Sequence, residues 1–128
     1  MSLEGSVALV TGGGRGVGRA IALGLAEDGA TVAVNYRRDD GAASETVSLI
    51  EAAGGRAKAY QASVDDLEED ELMVNQILDD LGPVSILVNN AGIASRGRMV
   101  ADTDAAELQR VVATHAFGPH YLSRLVLP

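Results

Sequence analysis

The residues from Thr11 to Gly18, Thr-Gly-Gly-Gly-Arg-Gly-Val-Gly, carry the most specific chemical signal in the chain. They lie between an apolar run and a stretch in which Val17, Ile21 and Leu25 recur at helical spacing. A glycine-rich turn from strand into helix leaves backbone N–H groups and the positive end of the helix dipole facing outward, and that is chemistry for holding a phosphate. Gly12 permits the tight turn, Gly16 lets the backbone approach a pyrophosphate with no Cβ between, and Gly18 lets the helix pack close to the sheet. Gly14, Arg15 and Val17 complete the candidate loop. Any tight turn can use two glycines, but here a strand before, a helix after and a βαβ unit around it supply the context the motif requires.

Two further groups fit an anionic ligand. Asn89-Asn90-Ala91-Gly92 ends a later apolar run, and ligands of open α/β sheets bind at the carboxyl ends of strands. Tyr36 ends the second apolar run and is followed by Arg37 and Arg38, whose guanidinium groups pair with phosphate through charge-assisted hydrogen bonds. With no cysteine, thiolate metal sites and disulfides are excluded, and no metal site is expected. A net charge of −8 argues against binding nucleic acid, which depends on neutralising phosphates. No apolar run reaches the ~18 residues of a membrane span. The N-terminus shows no basic and apolar leader, so a cytoplasmic location is the expectation.

These groups need a frame, and the hydrophobic pattern provides one. Of 128 residues, 47% are hydrophobic and only 3% aromatic, which predicts an aliphatic core and a single domain over 1–128. Strands are expected over residues 6–11, 31–36, 56–61 and 85–89. Helices are expected over about 16–28, 41–53, from Asp65 or Asp66 to Leu81, and from Asp104 onward. The acidic stretch 65–71 reads as a solvated helix start. Met73, Ile77 and Leu81 form one apolar face, and Leu108, Val111, Val112 and His115 another. Strands that are continuously apolar and alternate with helices predict a doubly wound parallel sheet covered on both faces, the Rossmann type of α/β fold.

The T-G-x-x-x-G-x-G spacing, with Asn89-Asn90-Ala91-Gly92 in register, resembles the short-chain dehydrogenase/reductase family. Leu127-Pro128 is similar to that family's helix-ending Leu-Pro, so the resemblance runs through essentially the whole chain. It implies strand order 3-2-1-4 with later strands missing, a nicotinamide dinucleotide, and hydride transfer to or from a carbonyl or alcohol. It also implies a homo-oligomer, because the long helix of such proteins commonly packs against its symmetry mate. NAD-binding members typically carry Asp where Tyr36 stands. Its absence, with Arg37 nearby and Arg15 in the loop, points to NADP rather than NAD.

Three departures from the family matter. Ser63-Val64 stands where Asp-Val is common, the Asp holding the adenine amino group; Asp65 is two positions too late to replace it directly. His115 occupies the position of the catalytic Asn, either as a half-buried packing residue or with its main-chain carbonyl keeping the Asn's role. Pro119, four residues on, lacks an N–H and clashes with the carbonyl of residue 115, so a disturbed helix is expected there. The catalytic Tyr-x-x-x-Lys is missing, since Tyr36, Tyr60 and Tyr121 have Asp40, Val64 and Leu125 four residues later and Lys58 is the only lysine. The catalytic Ser would lie beyond Pro128. The leading expectation is therefore the cofactor-binding part of an NADP-dependent oxidoreductase, inactive as this chain alone. The alternative is a non-catalytic nucleotide-binding or sensor module. A methyltransferase is disfavoured by Thr11 and Tyr36, where acidic residues would be expected.

Overall fold

Val7–Val10 forms β1 as four consecutive buried aliphatic side chains that alternate between the two faces of the sheet. Val7 and Leu9 join one core cluster, with Ala33, Tyr60, Met73, Ile77 and Leu122. Val10 joins the other, with Ala22, Val32, Val34, Ala43 and Ile50. A strand with apolar packing on both faces has no room for alternation, and this is why β1 reads as a continuous apolar run.

The computed structural model describes residues 2–93 and 99–128; part of the polar loop expected after Gly92 lies outside them. After β1 come α1 (Gly16–Glu27), β2 (Thr31–Tyr36), α2 (Asp40–Ala52), β3 (Arg56–Gln61), α3 (Leu67–Asp80) and β4 (Ile86–Val88). A short 3-10 turn (Val100–Asp102) precedes α4 (Ala105–Val112), which continues through a π-helical turn (Ala113–Phe117) into α5 (Gly118–Val126). All strand pairs are parallel and the order is β3-β2-β1-β4, with Ala8 opposite both Val32 and Ile86. The doubly wound Rossmann-type sheet is thus present, and β4 is its half-buried edge.

Helix faces differ from expectation where side-chain size decides. In α1, Val17 is exposed while Gly18 and Ala22 are buried, because the inward stripe is made of the residues small enough for close contact. Along α4 and α5 the inward residues are Glu107, Thr114, Gly118 and Leu122; Leu108 is 61% exposed and His115 is exposed, so His115 is not a half-buried packing residue. The disturbance expected near Pro119 is the π-helical turn itself, in which the Gly118 N–H donates to the Ala113 carbonyl.

The acidic stretch before and within α3 is only partly solvated. Asp66 caps the helix by accepting from the Glu69 N–H, but Asp70 is fully buried, on the stripe shared with Met73 and Ile77. Neither Asp70 carboxylate oxygen has a hydrogen-bond partner. Burial first, then the neighbouring Asp65, Asp66 and Glu69, raises its pKa from 3.8 to about 8. The folded state therefore holds a proton that the unfolded chain releases near pH 4, and the stability this gives is lost as pH rises towards 8. Chemical denaturation from pH 5 to 8 should show stability falling by up to ~1.4 kcal/mol per pH unit relative to an Asp70→Asn variant. Parallel pH profiles for the two proteins would exclude this assignment.

Candidate functional site

The glycine loop is held by bonds to its carbonyl groups. The Asn90 side-chain amide donates to the carbonyls of Thr11 and Gly12, each at 3.1 Å. The buried Thr46 hydroxyl donates to the Gly13 carbonyl at 3.0 Å, and Arg19 donates through Nη2 to the Gly14 carbonyl at 2.7 Å. Behind the loop, the buried Asn35 accepts from the Gly12 N–H through Oδ1 (3.2 Å) and donates from Nδ2 to the Ala62 carbonyl (3.1 Å). Asn35 therefore couples the loop to the chain just beyond β3.

A second lock joins the loop to the turn after β4. The Thr11 hydroxyl accepts the N–H groups of Asn90 (3.0 Å) and Ala91 (2.9 Å) and donates to the Val88 carbonyl (3.3 Å). Gly18 is required by this closeness, since a Cβ there would lie 2.2 Å from the Gly12 oxygen and 2.5 Å from Asn90 Nδ2. Gly16 has φ +57°, a conformation that favours glycine, and a Cβ there would meet nothing within 4 Å.

These elements border a cleft of about 160 Å³ at the carboxyl ends of the strands. Its floor is Gly12 and Asn35; Arg37 stands at its rim; Ala62, Ser63, Val64 and Asp65 form one wall; Ala91, Gly92, Ile93 and Thr114 form the other. Of the residues singled out in the sequence, Gly12, Arg37, Ser63, Val64, Ala91 and Gly92 meet here. Gly14, Arg15, Gly16, Val17 and Gly18 belong to the adjoining loop, and Gly14 is buried against the start of α2. Tyr36 packs on the core beside α2. Asn89 lies elsewhere, in a depression beside β4 with Leu87, Val126 and Leu127.

Sequence reasoning missed Thr11, Asn35, Asn90 and Thr114 as site residues, and set aside Asp65, which lines the cleft, as two positions too late. Thr11 and Asn90 are the polar members of the two motifs already noticed, and their types were the available signal. Asn35 is a lone amide in an apolar strand, where a buried polar side chain must find partners. His115 does not line the cleft. Its Nε2 lies 2.7 Å from the Ile93 carbonyl oxygen and 3.1 Å from the Ile93 nitrogen, and its ring passes so close to Gly92 that a Cβ there would be 2.7 Å from Cε1. His115 therefore fastens the turn after β4 to the widened turn of the long helix.

Electrostatically the start of α1 stands apart. Asp39, Asp66 and Asp104 cap α2, α3 and α4, each accepting a backbone N–H, and each of those helices has an acid in its first turn. The first turn of α1 has no side-chain cap and no acid. Its leading N–H groups lack helical acceptors by construction. Tyr60 is no acid near neutrality, because burial and its bond to Asp80 hold its hydroxyl protonated well above the usual range. Lys58 donates to the same Asp80 carboxylate at 2.7 Å.

A family profile described as short chain dehydrogenase matches residues 6–128. The chain belongs to the short-chain dehydrogenase/reductase family. The parallel sheet in the order β3-β2-β1-β4 agrees with it. The chain is 44% identical over 113 residues to the uncharacterized oxidoreductase YgfF of Escherichia coli (strain K12), covering 88% of this chain and 46% of that protein. It therefore spans about half the length of that relative. It is 46% identical over 106 residues to the short-chain dehydrogenase/reductase homolog YusS of Bacillus subtilis (strain 168), covering 83% of this chain and 96% of YusS. The crystal structure of a short chain dehydrogenase from Burkholderia cenocepacia J2315 in complex with NADP superposes with a TM-score of 0.92 at 37% identity, covering 98% of this chain and 51% of that one. Among the described residues, no helix is long and apolar enough to cross a membrane and no acidic, His or Cys group could hold a metal ion.

The Thr11 hydroxyl gives the plainest test of how the short-chain dehydrogenase/reductase site is assembled. Thr11→Val keeps the shape and leaves the Asn90 and Ala91 N–H groups without their acceptor. It should lower the free energy of unfolding by ~1–3 kcal/mol, whereas Thr11→Ser should retain most of it. Denaturant titration of the three proteins measures this, and equal stability of Thr11→Val would show that the lock contributes nothing.

Proposed function

We propose that the cleft binds a nicotinamide dinucleotide, NADP in preference to NAD, and that the chain is the cofactor-binding part of an oxidoreductase acting on a carbonyl or alcohol. The observation that carries this reading is the start of α1, whose first turn lacks the acid and the side-chain cap that α2, α3 and α4 all possess. A site for the pyrophosphate needs those N–H groups free and no carboxylate beside them, and the residues present fit it. Gly12, Gly14, Arg15, Gly16, Val17 and Gly18 would hold the phosphates, Ser63 and Val64 the adenine side, and Ala91 and Gly92 the region towards the nicotinamide, while Asn89, expected there from the sequence, stands apart in the depression beside β4. Once bound, the cofactor supplies or accepts the hydride; the chain's own part is to bind it, orient it and keep water from one face.

The NADP preference rests on Arg37, on Arg15 and on the absence of an acid at Tyr36. Arg37 is exposed at the cleft rim. Arg15 is ion-paired with Asp39, whose other carboxylate oxygen accepts from the Ala42 N–H at 2.9 Å. A 2′-phosphate thus competes with Asp39 for Arg15, while Arg37 has no such rival in the described ion pairs. The relative solved with NADP supports the same choice.

The unaltered chain should bind NADPH more tightly than NADH in fluorescence titrations. Arg37→Asp should shrink or reverse the difference, at a cost of ~1.5–3 kcal/mol for the lost phosphate contact. Equal affinities in the unaltered chain would overturn the NADP preference.

A second reading, a nucleotide-binding or sensor module without catalysis, is supported by the engagement of Tyr60 and Lys58 with Asp80. Both readings expect no hydride transfer from this chain alone, with His115 serving as a positioning residue. They separate when the chain is assayed joined to the remaining half of a relative such as YgfF. Restored NADPH consumption supports the oxidoreductase, and binding without turnover in a folded fusion supports the module. We also propose that the β4 edge and the exposed Leu108, Val112 and Phe117 are covered by further protein, in a homo-oligomer or a longer chain. Sedimentation showing a stable, cooperatively melting monomer at micromolar concentration would contradict that.

A further inference from the structure

Asp70 is fully buried, and the cofactor reading leaves it without a task. Neither of its carboxylate oxygens meets a donor. It stands on the stripe by which α3 enters the core, one turn before Met73 and two before Ile77. That side of α3 packs on α5, whose Leu122 shares the core with Met73 and Ile77. A polar group thus occupies a seam between two helices that an apolar one would close.

Both sides of the seam carry parts of the cleft. Residues 62–65, one wall, run through the Asp66 cap directly into the first turn of α3. Gly118, at the start of α5, packs so closely on this wall that a Cβ there would lie 2.8 Å from the Val64 carbonyl oxygen. Thr114, one turn before Gly118, lines the opposite wall. Met73 reaches the floor, where its Sδ lies 3.4 Å from Asn35 Nδ2. Displacing α3 at Asp70 therefore shifts one wall of the cleft against the other.

Ionisation supplies a reason for such a displacement. A carboxylate without donors in an apolar seam is far less stable than the neutral acid, and the relief open to it is water. The surroundings sharpen the conflict: burial, with the acidic Asp65, Asp66 and Glu69, pushes the Asp70 pKa up to about 8. The inward residues of α4 and the π-helical turn are Glu107 and Thr114, and those of α5 are Gly118 and Leu122. From the sheet, Tyr60 turns its hydroxyl to Asp80 at the far end of α3, while His115 and His120 are exposed. None of these inward residues is basic, so none of them offers the ionised carboxylate a counter-charge.

We propose that Asp70 makes the cleft responsive to pH: when it ionises, the first turn of α3 moves out to bring the carboxylate to water, the wall at 62–65 parts from Gly118, and the dinucleotide is held less tightly. This rests on the cofactor reading above and adds to it a regulation of that site by a residue that touches no ligand. Only the protonated chain binds well, so binding at alkaline pH takes up a proton.

The test is titration of the 128-residue chain with NADPH between pH 7 and pH 9 at constant ionic strength, with circular dichroism recorded at each pH. NADPH should bind about ten-fold more weakly at pH 9 than at pH 7, the ratio expected when one proton must be regained. Calorimetry at pH 9 in buffers of differing ionisation enthalpy should show close to one proton taken up for each nucleotide bound. Asp70→Asn, which cannot ionise, should keep its pH 7 affinity across the range and take up no proton. Asp70→Val, which fills the seam with apolar atoms, should give the same level profile and serves if the buried amide impairs folding. Equal affinity of the unaltered chain at pH 7 and pH 9 overturns the role of Asp70 while the cofactor reading stands. So does a weakening shared by the folded variants, or a loss of binding that circular dichroism shows to be loss of the whole fold. If the unaltered chain binds no NADPH at pH 7, the cofactor reading falls and this proposal with it.

Discussion

The Thr11 hydroxyl and the Asn90 amide bring together two segments that lie 79 residues apart, and most of the site depends on their exchange. Each satisfies the other's backbone: Thr11 accepts two N–H groups from the turn after β4, and Asn90 takes two carbonyls from the loop after β1. Parallel pairing of β1 with β4 sets the two segments side by side, but the ladder stops at Val10 and Val88. Beyond those residues the side chains take over from the strands. The closeness they impose explains why Gly18 cannot carry a Cβ without collision and why one at Gly12 would press on Ala91 at 3.0 Å.

A consistent division of labour runs through the loop. Its carbonyl groups are bound from behind by Asn90, Thr46 and Arg19, each rising from a different element. Asn35 does the complementary work from within the sheet, accepting the Gly12 N–H and donating to the Ala62 carbonyl, and as a fully buried amide it is tolerated only because its donors and acceptor are engaged. Holding the carbonyls in one direction leaves the leading N–H groups of α1 for the other. Asp70 is the opposite case. It stands on an inward stripe with no donor supplied, and the core accommodates it by keeping it protonated.

The strands and the location of the cleft were legible in the sequence because they follow from apolar periodicity and from glycine positions, both local properties, whereas the strand order was implied by the resemblance to the family. The four strands fall within a residue or two of their expected limits, and Asp66 and Asp104 cap the helices expected to start there. The facing of helices was less legible. Counting Val17, Ile21 and Leu25 finds the period but not the phase, because Gly18 and Ala22 pack inward by being small rather than by being hydrophobic. The facing of His115 is hidden for a related reason: a π-helical turn shifts the helix out of its regular phase, and Thr114 rather than His115 faces the cleft. Counting positions along the chain sets Asp65 aside, yet across the turn it lines the cleft. The bonds that make Thr11, Asn35 and Asn90 important are between distant residues, which no local pattern displays.

The bare first turn of α1 has a consequence for how long the folded chain persists. The capped helices α2, α3 and α4 satisfy part of their own N-terminal ends, a contribution of ~1 kcal/mol for each cap. α1 has given up that internal satisfaction, so an anion seated on it adds to the folded state something that the unfolded chain cannot match. By mass action the gain grows with ligand concentration, reaching ~2.7 kcal/mol at a hundred times the dissociation constant. Were the proposed dinucleotide bound there, resistance to proteases and to heat would become a function of its supply, and a chain starved of it would be cleared sooner than one kept saturated.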